Sequence, residues 1–80
     1  MLGATQIAFQ VPVATQVRLT LFDVTGRALR TLADGRFPPG VHHVAWDGRD
    51  AAGTPVGTGV YYCRMQSGGF TAVRPMVLSR

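Results

Sequence analysis

Short apolar segments separated by turn residues constrain the fold of this 80-residue chain more than any other feature. Clusters of Gly, Pro and Asp recur at intervals of about ten residues, and no segment keeps the 3.6-residue apolar period of a helix. This pattern predicts a β-sandwich or barrel whose helices are absent or limited to one turn. We expect strands over residues 5–11, 16–23, 27–33, 41–47, 59–66 and 70–79, with a short piece near Val56.

Alternation along these strands predicts which side chains form the core. In the second strand Val17, Leu19 and Leu21 share one face, which we expect to point inward. The same reasoning turns Tyr61 inward, and a buried tyrosine hydroxyl is expected to donate a hydrogen bond to the backbone. The predicted core comprises Leu19, Leu21, Leu32, Trp46, Tyr61, Cys63 and Met65.

Turn residues indicate how the strands are joined. Gly26 in the segment DVTGR can take a positive φ and close a hairpin between the second and third strands. Pro39 and Gly40 fit the two central positions of a type II turn, and Asp50 fits the first position of a type I turn. Pro75 removes a hydrogen-bond donor from the last strand, which therefore lies at a sheet edge or bulges there.

Composition limits the function classes. The net charge is +4, but the eight basic residues are all arginines spread singly along the chain, which indicates no nucleic-acid partner. No apolar stretch approaches the roughly 18 residues of a membrane span, and the N-terminus lacks the pattern of a signal peptide. The lone cysteine, Cys63, cannot form an internal disulfide and is expected to be a small buried apolar residue.

Catalysis needs a nucleophile, a base and an orienting group within reach of one another. A core-facing Cys63 has no positive neighbour to stabilise a thiolate, and all four acidic residues are aspartates at turns. We therefore expect no enzyme, no catalytic residues and no cofactor.

Two aspartates in the segment WDGRDAAG are weak calcium candidates. Asp47 and Asp50 could coordinate Ca²⁺ together with loop carbonyls. The alternative, favoured because Arg49 stands between them, is that both carboxylates accept backbone N–H bonds and shape the loop. His42 and His43 are adjacent in a predicted strand and point to opposite faces, so they are not expected to share a metal.

Three aromatic side chains are candidates for an exposed binding strip. Phe22, Phe37 and Tyr62 could present their rings to a sugar or a protein partner. The favoured alternative is that they cover the rim of the core.

A series of short motifs carries a family resemblance. In order these are Asp-x-x-Gly-Arg from Asp23, Trp-Asp-Gly from Trp46, Asp-x-x-Gly from Asp50, Gly-Val-Tyr from Gly59, and a basic tail with Arg74, Met76 and Arg80. Over about residues 5–80 the chain resembles the immunoglobulin-like domain found at the C-termini of many secreted bacterial proteins. Its relatives include the type IX secretion sorting domain and the Ig-like domain of the flagellar hook-capping protein. The resemblance implies an all-β, Ig-like antiparallel β-sandwich of six to seven strands.

The resemblance also implies a function. The main functional expectation is a non-catalytic sorting or surface-anchoring module of a larger bacterial protein, located outside the cell or at its surface. A secretion or surface machinery protein would then contact Arg74, Met76 and Arg80. The alternative is a structural assembly module that associates with its own kind through sheet edges or an apolar face, and a third possibility is carbohydrate binding.

The N-terminus departs from the pattern of that group. Its members often open with Asn-Pro-Phe, whereas this chain opens with MLGATQIAF. We therefore expect a single domain over residues 1–80 that lacks its N-terminal-most segment. An incomplete first strand would leave an unpaired edge able to recruit a second copy, giving a homo-oligomer.

Overall fold

The structure, a computed structural model, describes residues 5–79, and the regular structure within that range consists of antiparallel strands. The strands are β1 (Thr5–Val11), β2 (Thr15–Phe22), β3 (Ala28–Phe37), β4 (Gly40–Trp46), β5 (Gly59–Ser67) and β6 (Phe70–Leu78). The predicted all-β class with six strands is confirmed. Each predicted strand boundary lies within one residue of the observed one, except the end of β3.

The six strands form two sheets of unequal size. The smaller sheet contains β1 and β4, and the larger sheet has the order β3-β2-β5-β6. All neighbouring strands are antiparallel. The last strand lies at an edge of the larger sheet, which confirms the position predicted from Pro75. No helix among residues 5–79 is long and apolar enough to cross a membrane.

Two irregularities interrupt the pairing of β2 with β3. The register shifts between Leu19 and Thr20 and again between Leu21 and Phe22, so that β3 contains two extra residues. These are Leu29 and Leu32, and both pack against the core although they lie outside the simple alternation. Beyond them the strand continues through the segment ADGRF, whose Asp and Gly residues are typical of turns.

An ion pair accompanies this extension of β3. Asp34 lies opposite Arg18 of β2, and the guanidinium Nη2 is 3.2 Å from the carboxylate Oδ2. The side-chain amide of Gln16 donates to the other carboxylate oxygen at 2.9 Å. Both charged side chains are about half exposed, so we assign the pair a small contribution to stability.

The core lies between the facing sheets. The inward face of β2 contributes Val17, Leu19 and Leu21 to this core, and their side chains are at most 1% exposed. The Trp46 indole from β4 is fully buried and meets the Tyr61 ring of β5 edge-on, with ring centroids 5.2 Å apart. Four further side chains, Phe9, Val11, Cys63 and Leu78, complete the buried cluster, while Leu32 and Met65 are half-buried and pack against it.

The polar atoms of the two buried aromatic side chains donate hydrogen bonds to backbone carbonyls. The Trp46 indole N–H donates to the Arg49 carbonyl at 2.9 Å. The Tyr61 hydroxyl donates to the carbonyl of Gly57, four residues upstream, as the sequence predicted. A tyrosine that bonds back to the preceding backbone is the tyrosine corner of immunoglobulin sandwiches.

The turn between β2 and β3 depends on one carboxylate. Asp23 Oδ1 accepts from the Thr25 backbone N–H at 2.9 Å, from the Thr25 hydroxyl at 2.6 Å and from the Arg27 N–H at 3.1 Å. The Thr25 hydroxyl bond is the main reason that the pKa of Asp23 is lowered. Gly26 has a φ of +85°, which confirms its predicted role in this hairpin.

The PPG segment makes a different connection. Gly40 has the expected positive φ, +127°, but the chain there passes from β3 in the larger sheet to β4 in the smaller sheet. It therefore joins the two layers of the sandwich and does not close a hairpin within one sheet.

The tyrosine corner generates a prediction about stability. Replacing Tyr61 by Phe (Tyr61→Phe) removes the bond to the Gly57 carbonyl while keeping the ring, so the free energy of unfolding should fall by about 1 kcal/mol. Urea denaturation measures this change through the transition midpoint. Tyr62→Phe is the matched control, because the Tyr62 hydroxyl has no hydrogen bond within residues 5–79. Equal midpoints for the two variants would contradict the assignment.

Candidate interaction surfaces

The loop after β4 holds its aspartates in backbone hydrogen bonds. Asp47 Oδ1 accepts from the Arg49 backbone N–H at 3.1 Å and faces the Arg30 guanidinium at 3.3 Å. Asp50 Oδ1 accepts from two backbone N–H groups of the following turn, those of Ala52 and Thr54, each at 3.0 Å. These contacts are the loop-shaping alternative to a calcium site, and two arginines beside Asp47 make that carboxylate a poor cation ligand.

The same loop is tied to β3. The Arg30 guanidinium lies 3.4 Å from the Arg49 carbonyl, the acceptor that also receives the Trp46 indole N–H. The backbone N–H of Ala51 donates to the carbonyl of Leu29 at 3.0 Å. The Trp-Asp-Gly motif therefore anchors a loop, and the Trp46 indole N–H and the Asp47 carboxylate are engaged in hydrogen bonds that shape it.

The two histidines point to opposite faces, as predicted. The His42 ring packs against Phe9 and Phe37, and its Nε2 is 2.7 Å from the Pro38 carbonyl oxygen. His43 is exposed. Within the described residues no three His, Cys, Asp or Glu side chains are close enough to hold a metal ion.

Cys63 is a buried thiol in apolar surroundings. Its side chain is 5% exposed, and burial raises the pKa of the thiol above its ordinary value. A thiol whose pKa is raised carries less thiolate at neutral pH and is a weaker nucleophile.

The outer face of the larger sheet carries exposed apolar side chains. Val60 and Val77 are opposite each other on β5 and β6, and Phe22, Tyr62 and Pro75 form the next row across three strands. Val73 and Val77 are 56% and 65% exposed. The Arg64 guanidinium lies over the Phe22 ring, 4.6 Å from its centroid. We call this set the outer patch; it comprises Phe22, Val60, Tyr62, Arg64, Val73, Pro75 and Val77.

The predicted aromatic strip is therefore only partly formed. Phe22 and Tyr62 are cross-strand neighbours in the outer patch. Phe37 lies elsewhere, packed edge-on against Phe9 with ring centroids 5.2 Å apart, because it is at the end of β3 where the chain crosses between sheets. The three rings do not share one surface.

A cleft opens where the smaller sheet leaves the larger sheet uncovered. We call it the open cleft; it is about 190 Å³ in volume and lies between β1 and β6. Ile7 and Phe9 of β1 line one wall, and Met65 and Ala72 line the other. Arg74 is also part of the lining. Among the described residues that line this mostly apolar cleft, Arg74 is the one with a charged side chain.

Two of the residues expected to contact a secretion partner, Arg74 and Met76, lie on the same face of β6. Met76 is half-buried against the core, because β6 turns Ala72, Arg74, Met76 and Leu78 toward the smaller sheet. Its role as a partner contact stays a prediction. Arg74 is exposed, but it borders the open cleft. Arg80 lies outside the described residues.

The sequence reasoning named only Phe22 and Tyr62 of the outer patch and missed the open cleft, although a further signal for the outer patch was present. In the segment FTAVRPMVL, Val73, Pro75 and Val77 alternate with Ala72, Met76 and Leu78, so both faces of the strand are apolar. A strand with two apolar faces at a sheet edge indicates an exposed apolar surface. The open cleft had no local signal, since it depends on how many strands each sheet contains.

Comparison with known proteins identifies a flagellar family. Residues 2–69 match the FlgD Ig-like domain family. Two curated relatives, the basal-body rod modification protein FlgD of Salmonella typhimurium and that of Salmonella typhi, are each 44% identical over 48 residues. The match covers 60% of this chain and 21% of each relative, so the chain spans about a fifth of their length.

A solved structure has the same fold. The structure of FlgD from P. aeruginosa matches with a TM-score of 0.76 and 22% identity, covering 95% of this chain and 61% of that one. At this identity the match supports the fold alone, and it confirms the predicted Ig-like sandwich.

These matches correct part of the expected function. They support the flagellar branch of the resemblance and not the type IX sorting domain, and they favour the assembly alternative over sorting or anchoring. The expected extracellular or cell-surface location is wrong, because the matched relatives are named as basal-body rod modification proteins and not as proteins sorted to the surface.

The burial of Cys63 generates a prediction about reactivity. Because its pKa is raised and its side chain is buried, alkylation by iodoacetamide at pH 8 should be at least about tenfold slower than for an exposed thiol. Mass spectrometry over time measures the rate. The reference is the double variant Cys63→Ala, Ser79→Cys, which places one thiol at an exposed position. Equal alkylation rates for the folded unaltered chain and the folded double variant would contradict the burial of Cys63. In urea, which unfolds both proteins, the two rates should become equal.

Proposed function

The chain belongs to the FlgD Ig-like domain family, and from that membership we propose that it is a non-catalytic module for assembling the flagellar basal body and hook. Its role is to hold protein subunits in place, and it carries out no reaction. The observation on which this proposal rests is the family match over residues 2–69. The names of the Salmonella relatives, which refer to modification of the basal-body rod, support the same role.

The polar groups of the chain support a structural role. Asp47 and Asp50 are engaged in loop hydrogen bonds, and Asp23 is engaged in the β2–β3 turn. Cys63 is buried with a raised pKa. Within the described residues, these groups do not bring a nucleophile, a base and an orienting group together.

The outer patch is the surface that we propose for contact with another flagellar subunit. Exposed apolar side chains grouped on one face mark protein interaction sites more often than isolated ones do. The patch also contains Tyr62 and Arg64, which belong to the residue types that dominate binding energy at interfaces. Both lie beside the exposed Val73 and Pro75 of β6, which supply apolar area around them.

A genetic experiment tests this function. In the source bacterium, Val73→Asp together with Val77→Asp places two charges in the outer patch and should lower the number of flagella per cell about tenfold. Electron microscopy counts the flagella, and immunoblotting shows whether the protein is present at its normal level. Val41→Asp is the matched control, because Val41 is 61% exposed on the other sheet.

Deletion of the gene separates the two parts of the proposal. If flagella are normal without the gene, the role in flagellar assembly is wrong. If deletion removes them while the paired Asp variant assembles normally, the module role stands and the outer patch is not its contact surface.

A further inference from the structure

Among residues 5–79, the smaller sheet leaves one edge of β1 without a neighbouring strand. Within the described residues β1 pairs only with β4, so the backbone N–H and C=O groups of its other edge are unpaired. Immunoglobulin sandwiches typically place about three strands opposite four. Here two strands face four, and because β4 lies toward β3 while the open cleft lies between β1 and β6, the vacant position is beside β1. An unpaired edge of this kind is a template for another strand.

The open cleft lies directly below that vacant position. A strand added to β1 would point every second side chain into the cleft, between Ile7 and Phe9 on one side and Met65 and Ala72 on the other. These lining side chains are apolar and favour apolar side chains on the added strand. Phe70, which is 59% exposed, borders the same space and would lose contact with water.

The positive charge of Arg74 makes the cleft favour a negatively charged group on an added strand. Among residues 5–79 no carboxylate lies within 4.0 Å of its guanidinium. Each of the four aspartates is held elsewhere, two in turns and two in ion pairs with Arg18 and Arg30. Arg74 is opposite Cys63 on β5 and faces the smaller sheet, so a carboxylate on an added strand could meet it.

From these observations we propose that the free edge of β1 and the open cleft bind an extended strand of a partner protein, with alternating apolar side chains and one inward carboxylate. Main-chain hydrogen bonds to β1 would supply affinity, and the cleft would select the side chains. The seven residues of β1 set the length of the occupant at about seven residues, or roughly 23 Å.

Charge argues against a second copy of this chain as the occupant. A second copy would bring its own Arg74 and a net charge of +4 to the same edge. Like charges brought together at an interface oppose association. An acidic partner strand meets neither obstacle.

This inference rests on the proposed role as an assembly module, in that it names the chemistry of one partner segment. The assembly role and the cleft assignment can fail independently. The number of flagella after gene deletion tests the role in the cell, and peptide binding to the purified chain tests the cleft. Normal peptide binding together with normal flagella after deletion of the gene would leave the cleft assignment standing and remove the flagellar role.

The test uses a synthetic peptide that alternates Thr and Val over about nine residues, with Glu in place of one central Val. It is titrated into the ¹⁵N-labelled chain, and amide shifts are followed by NMR. We expect saturable shifts concentrated in β1, β6 and the part of β5 that lines the cleft. A second peptide with Lys at the Glu position should bind at least about tenfold more weakly to the unaltered chain.

Charge reversal on the protein supplies the matched control. Arg74→Glu should weaken binding of the Glu peptide and strengthen binding of the Lys peptide, whereas Arg36→Glu changes the net charge equally and should alter neither. Arg36 is exposed on β3, at the opposite edge of the larger sheet. The proposal is overturned if neither peptide gives saturable shifts up to about 1 mM. It is also overturned if both bind equally, if Arg36→Glu has the same effect, or if a dimer of the chain occupies the β1 edge.

Discussion

The Trp46 indole contacts three parts of the sandwich at once. It belongs to β4 in the smaller sheet, and its ring meets Tyr61 of the larger sheet edge-on at 5.2 Å. Its N–H donates to the Arg49 carbonyl, which also faces the Arg30 guanidinium of β3. Edge-on aromatic pairs contribute about 0.5–1.5 kcal/mol beyond their buried area. The smaller sheet contains only two strands, and Trp46 is the largest of the side chains fully buried between the sheets.

Several polar side chains of this domain form hydrogen bonds that hold its turns and loops in place. The carboxylates of Asp23, Asp47 and Asp50 hold turns, and the Tyr61 hydroxyl holds the backbone before β5. What remains for function is surface. The outer patch and the open cleft lie on different sides of the larger sheet, so the two surfaces proposed for partners do not overlap.

Much of the fold followed from the sequence because its signals are local. Alternation in β2 predicted the buried Val17, Leu19 and Leu21, and Gly26 predicted the hairpin after it. The end of β3 was missed because the bulges at Leu29 and Leu32 break the period of two and because Asp34 and Gly35 are typical of turns. The open cleft depends on which strands pair, a long-range property without a local pattern.

The function was harder to predict than the fold, for a related reason. The motifs around Asp23 and Trp46 that carried the family resemblance are turn and loop anchors, as their hydrogen bonds demonstrate. Residues that shape a sandwich identify the fold family and not the partner, so they could not separate a sorting domain from a flagellar one. Sequence comparison over residues 2–69 made that separation.

Trp46 is the single tryptophan of the chain, so its fluorescence reports on the contact between the sheets. The most direct test is urea unfolding followed by Trp46 fluorescence and by far-ultraviolet circular dichroism on the same samples. If the indole holds both sheets in one cooperative unit, the two transitions should coincide. A fluorescence change at lower urea than the loss of strand signal would show that the sheets separate first, and it would contradict the central claim.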